Sequence, residues 1–243
     1  MNKSKLMLIL ASSVLLVSCG AGEKEVTFDQ AKETASEILE ATKDENFKAP
    51  TKATGELYTK MKDKGEAKIS FICDMDNSYF YSKMEAIQVN DATSKTTEGV
   101  MEEWSYKEGE ENIEAMSVTS DSETLKYYTK TREWSPSYTP TTFVSLQDEL
   151  LEELSKAKTE KDFVDVTEGI NTIKYKTSGK GNLTIEATGD DGEILNLVIK
   201  DNLLTHLEVT TKEATETYSV TYGKADFKKP NLSEFQDLSS IAM

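Results

Sequence analysis

Arginine is all but missing from this 243-residue chain, where Arg132 stands alone. The guanidinium is the side chain that grips a phosphate through two parallel hydrogen bonds, so a single copy excludes recognition built on arginine clusters. Histidine is equally scarce. A Ser-His-Asp triad or a histidine-based metal site would have to use His206, the one copy present. Alternation sets His206 with Leu204 and Glu208, opposite Leu207 and Val209, on the solvent face of a strand. Positive charge is in deficit overall, with 28 Lys and Arg against 44 Asp and Glu and a formal balance of −16. Such a surface repels nucleic acid and anionic lipid headgroups, which argues against both a nucleic-acid partner and a domain lying flat on a membrane. Solubility is the plainest use of that charge.

What is there begins at the N-terminus. Lys3 and Lys5 open the chain, and Leu6 to Val17 is an apolar run interrupted only by Ala11, Ser12 and Ser13. This is the layout of a secretory signal. It falls short of the roughly 20 apolar residues that span a bilayer. The run closes in Leu16-Val17-Ser18-Cys19-Gly20, which resembles the lipobox of bacterial lipoprotein signals. That resemblance implies cleavage between Ser18 and Cys19, a diacylglycerol thioether on the Cys19 thiol, and acylation of the new amino terminus. Two or more acyl chains anchor stably where one holds only marginally. The expected protein is therefore extracytoplasmic and lipid-anchored to a cell membrane. Residues 1–18 are its signal peptide, 19–26 a lipidated tether, and 27–243 one domain. With Cys19 lipidated, Cys73 has no cysteine to pair with, and the domain must rely on its core.

Thr27-Phe28-Asp29-Gln30 has the form of a capping box, and Phe28, Ala31, Ala35, Ile38 and Leu39 follow at helical spacing to about Thr42. From Thr54 to Tyr222 alternation dominates. Leu57/Thr59/Met61, Ala67/Ile69/Phe71/Cys73, Leu183/Ile185/Ala187, Leu195/Leu197/Ile199, Leu203/Thr205/Leu207/Val209 and Tyr218/Val220/Tyr222 each form one face of a half-buried strand. Asp63-Lys64-Gly65, Ser178 to Gly181, Gly189 to Gly192 and Asp201-Asn202 supply residues tolerant of positive φ, as hairpins require. The sheet should be mostly antiparallel. Ser135 to Pro140 interrupts it as a loop, after which Ser145 is expected to cap a second helix with Leu146, Leu150, Leu151 and Leu154 on its apolar face. The fold class expected is α+β.

The lipobox, the capped helix, the long meander, the mid-chain helix, and closing strands ending in Glu216 to Gly223 with a Lys229-Pro230 exit together resemble the LolA/LolB and LppX/LprG-like superfamily. The resemblance covers the order of elements over nearly the whole chain after Ser18 and transfers no catalytic residue. It implies a strongly curved, half-open barrel whose concave face is plugged by helices, with a cavity between them for acyl chains. On that reading Ile69, Phe71, Leu183, Ile185, Leu195 and Leu197 line the apolar side of the cavity. Their ordinary alternative is packed core, since buried apolar residues are common.

The remaining candidates are weaker. Asp74 to Glu85 carries acids or a hydroxyl at four ligand places of a calcium loop, but Tyr79 stands where the sharp turn needs glycine. Cys73 shares the face of Ile69 and Phe71 and reads as an inert buried thiol. Trp104 and Trp134 sit among tyrosines, a pattern of strand packing more often than of a partner or sugar surface. No enzyme, cofactor or metal is expected. The leading expectation is an anchored protein that binds a lipid or other apolar ligand. The alternatives are a protein-interaction lipoprotein with an ordinary core and an accessory subunit of an envelope enzyme or transporter. Replacing the acylated thiol tests the anchor: Cys19→Ser should abolish incorporation of a labelled fatty-acid precursor and release the protein from the membrane fraction.

Overall fold

Two capping boxes fix where the long helices begin. In the computed structural model, which describes residues 22–90, 95–120, 122–164 and 169–240, helix α1 spans Phe28–Lys43. The Thr27 side chain accepts from the Gln30 backbone N–H at 3.3 Å, and Gln30 Oε1 accepts from the Thr27 N–H at 2.9 Å. Helix α2 spans Pro140–Lys156. Its cap is Thr139 rather than Ser145, so the helix starts six residues earlier than expected. Thr139 and Thr142 exchange side-chain-to-backbone bonds, both at 3.3 Å. Pro140 sits in the first turn, where its missing N–H costs nothing. A short helix α3, Glu160–Val164, follows.

The described strands form one curved, unclosed, mostly antiparallel sheet, so the fold is α+β. In chain order they are β1 (Lys24–Val26), β2 (Lys52–Met61), β3 (Gly65–Asp74), β4 (Tyr79–Asn90), β5 (Lys95–Glu108), β6 (Glu111–Ser120) and β7 (Glu123–Thr131) before α2. After α3 come β8 (Ile170–Thr177), β9 (Leu183–Gly189), β10 (Ile194–Lys200), β11 (Leu203–Thr210), β12 (Ala214–Tyr222) and β13 (Gln236–Asp237). The spatial order is β1-β8-β9-β10-β11-β12-β2-β3-β4-β5-β6-β7-β13. Every neighbouring pair is antiparallel except β13, which runs parallel to β7. The predicted turns are where the backbone turns left-handed, at Asp63, Gly65, Gly179, Gly181, Gly192, Asp201 and Asn202.

Both long helices lie on one face of the sheet, and two cores form beneath them. The larger joins Ala31, Ala35 and Ile38 of α1 and Leu151 and Leu154 of α2 to the inward residues of β8 to β11. Gln147, buried in α2, donates from Nε2 to the Asn202 carbonyl at 3.0 Å and pins the helix to the β10–β11 turn. The smaller core centres on Phe71, Phe80 and Phe143, with Trp134 and Tyr138 of the connecting loop at its margin. Phe71 and Phe143 stack at 5.3 Å between ring centroids. Gly55 makes room for that pair, because a Cβ there would overlap the Phe71 ring.

Strict alternation fails at two strands: β8, where Asn171 is left unpaired between Ile170 and Thr172, and β11. Val198 pairs with His206 but Ile199 pairs with Leu204, leaving Thr205 as a bulge whose hydroxyl donates to the Val198 carbonyl at 3.1 Å. The extra residue shifts the phase, so Leu204, and not Leu203 or Thr205, joins Leu207 in the core. Leu204 was expected on the solvent face; His206 is on the face away from the helices, half-buried beside Ser219.

The opposite face is closed at one corner by the C-terminal segment. Phe227 stacks on Tyr79 at 4.6 Å and lies against Tyr106, while Phe235 meets the edge of Trp104. Because the cores differ in how they fail, two substitutions separate them. Leu151→Ala should cost about 3 kcal/mol by leaving a cavity, and Gly55→Ala about 2 kcal/mol by overpacking against Phe71. Urea unfolding monitored by tryptophan fluorescence measures both.

Candidate ligand-binding face

The residues expected to line one slot are divided between the two cores. Leu183, Ile185, Leu195 and Leu197 lie under α1 and α2, all buried and in contact with helix side chains. Phe71 is buried under Phe143, and Ile69 packs partly buried at that second core's edge. Packing therefore occupies the space directly beneath the helices. Cys19 and Ser18 lie outside the described residues.

The helices cover only part of their face. Their main sheet contacts fall on β8, β9 and β11, with Phe143 of α2 reaching Phe71 of β3, leaving much of β4 to β7 without a helix above it. Register shows what that open half presents. Ile69 pairs with Met84, Met84 with Met101, Met101 with Val118, and Val118 with Leu125. These five residues form one apolar row across five strands, on the same face as Phe71 and Phe80. Met84, Met101, Val118 and Leu125 belong to neither core, and Leu125 is 58% exposed. Beside the row runs a second one, Ala67–Ala86–Gly99–Ser120, of small side chains. A Cβ built on Gly99 would meet nothing closer than 3.7 Å, so this side of the row is unfilled.

On the row's other side, toward Phe71, lie Ser82, Glu103, Met116 and Tyr127, again paired in register. Tyr127 donates its hydroxyl to Met116 Sδ at 2.9 Å. Ser82 and Ser137 donate to Glu103 Oε2 at 3.3 and 3.4 Å. Burial nonetheless holds the Glu103 carboxyl above the usual glutamate range, and nearby Glu114 pushes the same way. Glu114 and Glu123 complete the acids of this region; among the described residues none of the three has a salt-bridge partner within 4.0 Å.

The opposite face behaves differently. There Glu56 pairs with Lys68 at 2.8 Å, Glu85 with Lys83 at 2.6 Å, Glu111 with Lys130 at 2.7 Å and Glu186 with Lys176 at 2.7 Å. An open groove of about 820 Å³ runs along that face, walled by Tyr58, Glu66, Lys68, Glu85, Ile87 and Glu98. Most of its charges have partners: Tyr58 donates to Glu66 at 2.8 Å, and Lys68 and Glu85 are in the pairs above. A second depression, of about 430 Å³, sits at the end of α1 between Leu39, Glu40 and Asp44.

The other sequence candidates have structural explanations. Asp74 ends β3 and Tyr79 begins β4, so the calcium-like stretch is a hairpin. Asp74 is buried and holds Lys52 Nζ at 3.0 Å and the Asn77 side chain at 2.8 Å. Among the described residues no group of three His, Cys, Asp or Glu is placed to hold a metal. Cys73 is wholly buried, and burial pushes its thiol up to about 12, far from a reactive thiolate. Trp104 packs between Tyr81 and Phe235, and Trp134 donates Nε1 to the Ser105 carbonyl at 3.2 Å. The row is not legible in the sequence, because Met84, Met101, Val118 and Leu125 become neighbours only through register. The one local signal, Met84/Ala86 and Gly99/Met101 at period two, is diluted by small residues.

No protein-family model matches the chain, and no curated protein matches it in sequence.

Glu103 gives the site a measurable pH signature. Its folded-state carboxyl binds a proton more tightly than the unfolded chain's, so the ionised form destabilises the fold. Its contribution should therefore improve as pH falls from its raised value toward the ordinary glutamate range. Urea midpoints at pH 5 and pH 7.5 should accordingly differ less in Glu103→Gln than in the parent, and the variant should be the more stable at pH 7.5.

Proposed function

We propose that this is a non-enzymatic binding lipoprotein, held outside the cytoplasm at a membrane by lipid on Cys19, that takes an apolar ligand on the open half of its helix-bearing sheet face. The lipobox-like Leu16 to Gly20 supports the anchor. The observation that carries the binding reading is the row Ile69, Met84, Met101, Val118 and Leu125, which continues the buried face of the sheet past the edge of the helices. Contiguous apolar surface left uncovered marks an interaction site more often than a structural accident. Methionine suits the role because its unbranched, polarizable side chain adapts to irregular partners.

This reading keeps the sheet-and-helix architecture of the LolA/LolB and LppX/LprG-like superfamily but moves the ligand. Leu183, Ile185, Leu195 and Leu197 serve as packed core, and the ligand sits beside the helices, over β3 to β7. The packed space under α1 and α2 equally favours the interaction reading, in which the apolar ligand is part of another protein.

A neutral solvatochromic dye tests the site without assuming a ligand. Nile red should brighten with the parent protein, and the double variant Met84→Lys/Met101→Lys should lose most of that signal while keeping its thermal midpoint within a few degrees. Equal brightening of both proteins would place the apolar site elsewhere.

A further inference from the structure

The charges around the open row identify the class of ligand. Glu103 and Glu114 lie on the helix side of the row, and Glu123 lies on its far side, next to the small residues Gly99 and Ser120. The carboxylates therefore flank the row on both edges. Two lysines of β2 to β7 share this face by register: Lys107, beside Asn112 at the end remote from Glu123, and Lys95, paired with Asn90 at the start of β5, four residues along the strand from Gly99. On the opposite face of β2 to β7, Glu56, Glu85 and Glu111 are matched to lysines within 2.6–2.8 Å, whereas among the described residues Glu98 and Glu102 are not.

This pattern discriminates between apolar ligands. A fatty acid or an anionic phospholipid would bring a negative headgroup against three carboxylates, one of them half-buried where repulsion is least screened. A cationic amphiphile would instead supply the missing partners. The shape of the row gives its size. Four strand spacings of about 4.8 Å make the row about 19 Å long, running across the strands. A helix covers that length with about 13 residues at 1.5 Å each. The adjoining row of small residues lies about 7 Å away along the strands and leaves room for the helix's flank.

We infer that the open row is a docking surface for a cationic amphipathic helix of another protein, its apolar stripe on Ile69, Met84, Met101, Val118 and Leu125 and its lysines or arginines on Glu103, Glu114 and Glu123. The inference rests on the proposed apolar site and adds the identity of what fills it. An amphipathic helix in a methionine-rich groove is a recurring mode of peptide recognition, with affinity from the apolar anchors and selectivity from the flanking charge.

The test uses the full-length chain in phosphatidylcholine nanodiscs, with empty nanodiscs as reference. Two fluorescein-labelled 14-residue peptides share leucines at helical spacing and differ only in carrying lysine or glutamate elsewhere. Fluorescence anisotropy should show the lysine peptide binding at least tenfold more tightly than the glutamate peptide, with affinity falling as salt rises. The triple variant Glu103→Gln/Glu114→Gln/Glu123→Gln should lose about tenfold for the lysine peptide while still brightening Nile red. Glu114→Gln/Glu123→Gln, confined to the two acids outside the Glu103 hydrogen bonds, should show a smaller loss in the same direction. Equal affinity for the two peptides, or no change in the triple variant, would overturn the inference. Failure of both peptides while Nile red still depends on Met84 and Met101 would also overturn it, leaving a small apolar ligand on the same row. If the dye too ignored those methionines, the binding site itself would be lost along with the inference.

Discussion

The pairing of β12 with β2 holds the architecture together. It runs from Ala214↔Met61 to Tyr222↔Ala53 and joins strands separated by most of the chain. On one side of the seam lie β8 to β11, built after α2; on the other lie β3 to β7, built before it. Without this ladder each half would present an edge of unpaired backbone groups, which invites pairing with other chains. With it, one curved surface continues from β1 to β7, and α1 and α2 need to cover only part of it. The division into a packed half and an open half follows from having two long helices for so wide a sheet.

The sequence discloses elements well wherever the determinant is local. The Thr27 capping box, the Asp201-Asn202 turn and the alternation of Leu183, Ile185 and Ala187 each depend on residues within a few positions, and each is present as read. The second helix shows the limit of local signals. Ser145 is an acceptable cap by composition, but Thr139-Pro140-Thr141-Thr142 offers two reciprocal bonds and a preset first φ, and the helix starts there. The β11 bulge was hidden because one unpaired residue leaves the composition of a strand intact while reversing which side chains face inward. Core and cavity could not be separated either. Leu183 and Leu197 have the same alternation whether a helix or a ligand lies above them.

The open row was still less legible, since no two of its members are near in sequence. Ile69, Met84, Met101, Val118 and Leu125 come from five strands and meet through four hairpin registers. A slip of one residue in any hairpin would turn part of the row to the other face. Gly65 helps to fix the first of those registers. Its φ of +123° favours glycine, and a Cβ there would lie within van der Waals overlap of the Ile87 carbonyl. Such constraint is consistent with a surface whose pattern matters, because a sheet face that only met water would tolerate slippage.

Electrostatics ties the proposed anchor to the proposed site. An acidic domain is repelled by an anionic membrane surface, so attachment through Cys19 would fix location without drawing the domain down onto the lipid. The repulsion acts on free anionic amphiphiles as well, and the acids bordering the row strengthen it where the apolar surface is most open. A cationic amphipathic segment meets the reverse situation. The negative field of the whole molecule steers it inward, and Glu103, Glu114 and Glu123 gain the counter-charges that Glu56, Glu85 and Glu111 on the opposite face already have. A single charge distribution thus keeps the lipid surface at a distance and selects among the apolar ligands that the tethered domain encounters.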